Sequence, residues 1–230
     1  MREALGSVVI LAALCGAGPA MAQGGNARFA VLAFENTESY GQDREIFEAL
    51  ELGLAAMIAR AIDGHPGADV VQRARLGEVM RKLDLGPAHR VDAASAAQIG
   101  KGTGARYTVT GNFADFYGKL RINARLVNAE SGEIVKVVSN DDPKLQDRAQ
   151  LAAIAQTVGE KITAAAGLAP YPAGSAPAAV PTDAISAYSR GLLHESRGER
   201  AKAGEFYQSA LTAVPGFEEA AAGLKRVRGE

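Results

Sequence analysis

The alternation of apolar and polar positions is most regular in the middle of the chain. Tyr107, Val109, Gly111 and Phe113 alternate with Thr108, Thr110 and Asn112. Leu120, Ile122, Ala124 and Leu126 alternate with Arg121, Asn123 and Arg125, and a third run holds Ile134, Val135, Val137 and Val138. A period of two sends successive side chains to opposite faces of a strand. Gly118-Lys119 and Glu130-Ser131-Gly132 read as short turns, so the three strands form an antiparallel meander with one buried and one polar face. Nearer the N-terminus, residues 28–34 are apolar almost throughout, as in a strand covered on both sides. A brief strand passes through Val70 and Val71.

Helical spacing supplies the other layer. Ile46, Phe47, Leu50, Leu54, Met57, Ile58 and Ala61 form one stripe over residues 44–62. Leu76, Val79, Met80 and Leu83 mark a short second helix, stopped by Gly86-Pro87. Asp92 caps a third through Ala96, Ala97 and Ile99, which ends at Gly100, Gly102 and Gly104. Leu151, Ile154, Ala155, Val158 and Ile162 stripe a long helix ending near Gly167. The order strand, helix, strand, helix, helix, three strands, helix predicts an α/β domain over residues 28–167. It is an α+β two-layer sandwich with a mixed sheet and helices on one sheet face. Residues 168–181, with four prolines, form a semi-extended Pro/Ala linker. Residues 182–230 are helical by pattern and make a small all-α unit.

With 230 residues, 47% of them hydrophobic, the chain can bury one medium core or two small ones. A formal net charge of -1 argues against a nucleic-acid partner, which calls for a basic surface. The first 22 residues read as a secretory signal. Arg2 precedes an apolar run from Leu5 to Leu14, and small residues end at Ala20-Met21-Ala22, a cleavage pattern before Gln23. The expected location is the periplasm. Cys15 is the one cysteine, and Leu14 precedes it where a lipoprotein signal carries a small residue. Cleavage after Ala22 leaves a mature chain with no thiol and no disulfide.

Candidate chemistry is sparse. Gly100-Lys101-Gly102-Thr103-Gly104 resembles a phosphate loop, but it follows a helix and precedes a strand. A phosphate loop needs the reverse order, so that the anion meets a helix N-terminus. His65, His89 and His194 have no metal-binding spacing, and His65 and His89 read as surface loop residues. Glu35 and Asp141-Asp142 read as solvated turn carboxylates. No nucleophile lies in a Gly-x-Ser-x-Gly setting. The expectation is a non-enzyme without cofactor or metal. The polar face of the meander, with Arg121, Asn123, Arg125, Thr108 and Thr110, is the candidate protein-contact surface, since arginine is enriched at interfaces.

One ordered set of segments resembles a known family. It comprises residues 29–34, Val70-Val71-Gln72-Arg73 with Leu76 and Val79-Met80, Ile99-Gly100, residues 104–111, residues 121–127 and residues 130–135. Together they are similar to the curli-secretion (CsgG-type) family and its relatives, the TolB N-terminal-like domains and the penicillin-binding-protein activator lipoproteins. The resemblance implies a non-enzymatic envelope protein. Such proteins act in export or anchoring of surface fibres, in envelope structures, or in control of wall synthesis. The long membrane hairpins of the secretion channel have no counterpart in these tight turns, and Arg121 and Arg125 are charged, so a pore is not expected. The C-terminal unit resembles a tetratricopeptide repeat, with that family's small and aromatic positions on Gly191, Gly198, Ala203, Tyr207, Ala210 and Pro215. Residues 218–227 would be its capping helix. One repeat cannot bury its face alone, so the unit is expected to pack on the first domain, another copy or a partner.

The sequence therefore predicts a non-catalytic periplasmic adaptor with protein partners in the cell envelope, one for each module. The alternative is an oligomeric ring or anchor associated with the outer membrane. A regulator of wall synthesis and a small-molecule binder are further readings.

Overall fold

The computed structural model describes residues 26–40, 44–85, 91–143, 146–174 and 178–230. Strands β1 (Ala27–Asn36), β2 (Ala68–Val70), β3 (Tyr107–Phe116), β4 (Lys119–Asn128) and β5 (Ile134–Ser139) form one mixed sheet in the order β2-β1-β3-β4-β5. β2, β1 and β3 run parallel, while β3, β4 and β5 form the antiparallel meander. The β3–β4 turn lies one residue earlier than the sequence pattern placed it. Tyr117 and Gly118 both have positive φ, 53° and 89°. This left-handed pair fits a two-residue hairpin whose twist matches its strands.

Helices α1 (Arg44–Asp63) and α4 (Leu151–Ala165) cover one face of the sheet. Phe29, Phe34, Val109, Phe113, Ile122 and Leu126 pack there against Leu54, Ile58, Ile154 and Val158 in one buried cluster. Gly159 lets α4 approach α1, since a Cβ there would meet that of Ala61 at 2.6 Å. The opposite face carries a third, partial layer made by α2 (Arg73–Lys82) and α3 (Ala93–Thr103). Ala30 and Leu32 of β1 form a second cluster with Val71, Leu76, Ile99 and Ala105. This layer is why β1 is apolar on both faces. Asp92 caps α3 by accepting from the Ser95 amide at 2.8 Å, and Gly104 closes it with φ 72°. The Gly100–Gly104 segment is thus a helix end.

Helices α5 (Thr182–Ser196), α6 (Arg200–Ala213) and α7 (Glu218–Arg228) follow. They pack on the first domain, one of the alternatives open in the sequence. Ala184, Ile185, Tyr188 and Leu192 of α5 belong to the same buried cluster as Leu54 and Ile58 of α1. The described part of the linker lies against the domain. Tyr171 donates to the Ala61 carbonyl at 2.7 Å, and Val180 is buried. His65 corrects its reading as a surface residue. It is buried, and its Nδ1 accepts from the Gly67 amide at 3.0 Å. That bond puts the ring proton on Nε2, which donates to the Ala169 carbonyl at 2.8 Å. His194 is buried too. The signal segment, Cys15, Gly86-Pro87 and His89 lie outside the described residues. Among the described residues, no helix is long and apolar enough to cross a membrane.

Candidate functional site

The outer face of the sheet, opposite α1 and α4, is defined by the β3–β4 register. Phe116 lies opposite Lys119, Ala114 opposite Arg121, Asn112 opposite Asn123, Thr110 opposite Arg125, and Thr108 opposite Val127. Helix α3 roofs the last of these rows. Thr108 is 0% exposed and donates to the Ala96 carbonyl at 2.9 Å, and Thr110 is 6% exposed. Both threonines are buried and therefore drop out of the predicted contact surface, Thr108 beneath α3. Arg121, Asn123 and Arg125 remain on the open half, Arg121 exposed and the other two half-buried.

The open half has a graded composition. Asn123 donates to Asn112 across the strands at 3.2 Å. On one side the register brings Glu35 of β1 beside Asn112. On the other, β5 brings Ser139 beside Asn123 and Val137 beside Arg125. Ile134, Val135 and Val137 of this edge strand are exposed. At the hairpin end stands an aromatic cluster. Tyr40 bridges to Phe116, and its ring stacks on those of Phe116 and Tyr117 at 6.0 and 6.3 Å. Tyr40, Phe116 and Tyr117 are 49%, 44% and 80% exposed, unusual for large side chains without a partner. The sequence reading passed over this cluster. Phe116 was legible, because it falls in the polar phase of β3 with Asn112 and Ala114. Tyr40 was not, because only tertiary pairing brings it there.

The hairpin end is held from behind by Asp115, a fully buried carboxylate. It accepts from Arg148 at 2.5 Å and from the Gly118 amide at 2.7 Å. Arg121 and Arg125 have no hydrogen-bond or ion-pair partner among the described residues. The surface thus offers guanidinium donors, an amide pair and stacked rings. Among the described residues, these groups pair no general acid with a general base. Among the described residues, no group of three His, Cys, Asp or Glu side chains is placed to hold a metal ion.

In the helical unit, four of the six predicted packing positions pack. Ala203, Tyr207 and Ala210 are buried, and a Cβ on Gly191 would meet the Tyr207 ring at 2.6 Å. Gly198 and Pro215 serve turns instead, Gly198 with φ 77° between α5 and α6 and Pro215 exposed between α6 and α7. Leu224 of α7 is buried against the same cluster. The Tyr207 hydroxyl donates to Glu195, which also accepts from Arg226 at 2.9 and 3.0 Å. Burial pulls the Glu195 carboxyl upward, but these hydrogen bonds outweigh it and hold the group below its ordinary pKa. Burial pushes Tyr188 up to about 12. At the seam with α1, Arg190 donates to Glu45 at 2.7 and 3.0 Å and lowers its pKa. His194 lies between Glu199 at 2.6 Å and Glu45 at 3.7 Å.

Pockets are minor. One between α1, α4 and residues 178–180 measures ≈ 160 Å³. Small-molecule sites begin at about 300 Å³. A shallow groove of ≈ 420 Å³ runs between α6 and α7, past Gly204, Leu224 and Val227.

No protein-family model and no curated protein matches the chain. Solved structures show a loose likeness. The LpoB C-terminal domain from Salmonella enterica has a TM-score of 0.41 at 16% identity, covering 52% of this chain and 84% of that one. TolB from Acinetobacter baumannii has a TM-score of 0.41 at 13% identity, covering 63% of this chain and 29% of that one. Lipoprotein GNA1162 from Neisseria meningitidis has a TM-score of 0.39 at 17% identity, covering 60% and 96%. Likeness at this level fixes neither family nor function. The curli-secretion and tetratricopeptide resemblances find no support in these structures.

Proposed function

We propose that this chain is a non-catalytic protein-binding component of the cell envelope, an adaptor or regulator within an envelope assembly. The observation that carries the reading is the open half of the outer sheet face, where Arg121 and Arg125, unpaired among the described residues, share a surface with the exposed aromatics Tyr40, Phe116 and Tyr117. Arginine and aromatic residues are the types that dominate protein interfaces. The export signal read in residues 1–22 supports the location. Assembly, export or anchoring of surface structures and control of wall synthesis are the finer roles open to such a protein. The exposed apolar edge of β5 favours a second reading, an oligomeric ring or anchor.

The test is photo-crosslinking in intact cells of the natural host. A crosslinker replaces Arg121 or Tyr117, with Lys225 of α7 as the control position. One discrete adduct from the two sheet positions, absent from the control, is the expected result. Adducts at multiples of the chain's own mass favour the ring. Equal labelling at all three positions, or none, sinks the sheet face as a binding surface.

A further inference from the structure

The nature of the partner can be read from the same face, and the inference rests on the reading above. We propose that the open half of the sheet receives an acidic protein segment whose carboxylates meet Arg121 and Arg125 and whose apolar end lies on the Tyr40–Phe116–Tyr117 cluster.

Arginine usage across the molecule makes these two stand out. Arg28, Arg60, Arg148, Arg190 and Arg226 each hold a carboxylate. Among the described residues Arg73, Arg81, Arg200 and Arg228 hold none either, scattered over three helices; Arg121 and Arg125 differ in lying without one on the same strand and the same sheet face. Neighbouring Lys119 is engaged by Asp147 at 3.5 Å, so among the described residues the free cations of these strand rows are the two guanidinium groups. A guanidinium presents a planar fork that matches a carboxylate in a bidentate pair. Four residues of strand separate the two, about 13 Å at the usual rise. An extended segment lying along β4 matches that span with carboxylates four residues apart.

The middle and both ends of the surface fit the same occupant. Between the arginines, the Asn112–Asn123 pair uses one amide N–H and one carbonyl on each other. Each asparagine keeps further donor and acceptor capacity for an extended backbone. Beyond Arg125 the roof of α3 over Thr108 stops the segment. Beyond Arg121 the aromatic cluster offers a stacking platform, held rigid by the buried Asp115 behind the turn. The tract is about seven residues long, set by the rows from Phe116 to Arg125.

Other occupants fit less well. A second copy placed face to face on a two-fold axis would oppose arginine to arginine. Among the described residues, the one carboxylate that the register puts on this face is Glu35 on β1, two strands away from Arg125. Two cations on a chain of net charge -1 are too few for a polyphosphate backbone or an anionic lipid surface.

The experiment is an NMR titration of the isotope-labelled chain from Gln23 to Glu230. The probes are two synthetic ten-residue peptides, each with one terminal phenylalanine. One carries glutamate at two positions four apart, and the other carries glutamine there. The glutamate peptide is expected to bind at least ten-fold tighter. It shifts the amides of Tyr117, Arg121, Asn123 and Arg125, and the preference fades as salt rises. The double variant Arg121→Ala, Arg125→Ala removes the preference at an unchanged melting temperature. Tyr117→Ala weakens both peptides alike. Equal affinity for the two peptides overturns the proposal, as does no binding by either, or shifts confined to α6 and α7. Stronger competition from anionic vesicles, or dimer formation seen by light scattering, also overturns it. Cross-links from position 117 that persist in the double variant would keep the binding face while removing its acidic partner.

Discussion

Tyr207 fills space that two glycines leave open. A Cβ on Gly191 of α5 or on Gly223 of α7 would meet its ring at 2.6 Å. Gly204 differs, because its nearest neighbours lie at 3.7 and 3.8 Å. The two positions give opposite predictions. Gly191→Ala forces overpacking and should cost about 1–3 kcal/mol. Gly204→Ala should raise stability by about 0.5–1 kcal/mol, because glycine is entropically poor within a helix. Urea denaturation of the two variants measures both. Charge at the residue scale sets a pH limit. Glu45, held down by Arg190, and Glu195, held down by Arg226 and Tyr207, have folded pKa values below the ordinary value of 4.5. Their stabilisation is complete above that value and is lost as pH falls through the lowered folded value. Glu51 opposes them, since burial raises its pKa. Glu199, Asp141 and Asp147 are lowered as well, by the hydrogen bonds of His194, Lys161 and the Ala149 amide, so the lowered groups outnumber the raised one and predict a melting temperature that drops below about pH 4.5. Glu45→Gln should flatten that drop in circular dichroism melts.

At the scale of elements, the β3–β4 hairpin depends on a residue far along the chain. Asp115 is buried at its end, and its counter-charge Arg148 comes from the 3-10 turn Arg148–Gln150 that leads into α4. Removing the cation strands a buried carboxylate. Arg148→Ala should therefore destabilise by about 3 kcal/mol, near the low end for a broken buried pair because Arg148 itself is partly exposed. Adding Asp115→Asn should recover much of that loss. Chemical denaturation of the single and double variants checks both statements, and equal stabilities would refute the dependence. The elements themselves were largely legible. Strict alternation over residues 107–126 specified β3 and β4, because a half-buried strand leaves no other pattern. The third layer was not. Ala96, Ala97 and Ile99 announced a helix, yet nothing local says which sheet face it takes, and the polar threonines opposite concealed it.

At the scale of the molecule, α5 and α1 share one core, so the helical unit is no detachable arm. Gly53 of α1 has the Ser189 side chain directly over it, and Arg190 and Arg197 bind Glu45 and Glu48 across the seam. Unfolding should therefore be a single cooperative transition in urea, with the most protected amides of α1 and α5 exchanging at similar free energy. Deleting residues 182–230 uncovers Leu54, Ile58 and their neighbours and should yield a chain that aggregates or fails to fold. A soluble truncated domain with an unchanged midpoint would refute this. The sequence reading expected two separable binding modules; the shared core makes truncation a poor way to assign partners. Point changes on the open sheet face leave that core intact.

The sequence by itself determined the order and kind of elements, the antiparallel meander, the cap at Asp92 and the stop at Gly104. Each is written in short-range periodicity, or in a residue whose backbone or side chain has one favourable use. Only the tertiary structure decided that α3 would bury Thr108, that α5 would merge with α1, and that Tyr40 would stack on Phe116 and Tyr117. Those outcomes depend on which surfaces meet, and a burial preference states that a side chain needs cover without naming what covers it. The open half of the sheet is what remained when that cover ran out, and the two arginines that have no partner among the described residues lie there.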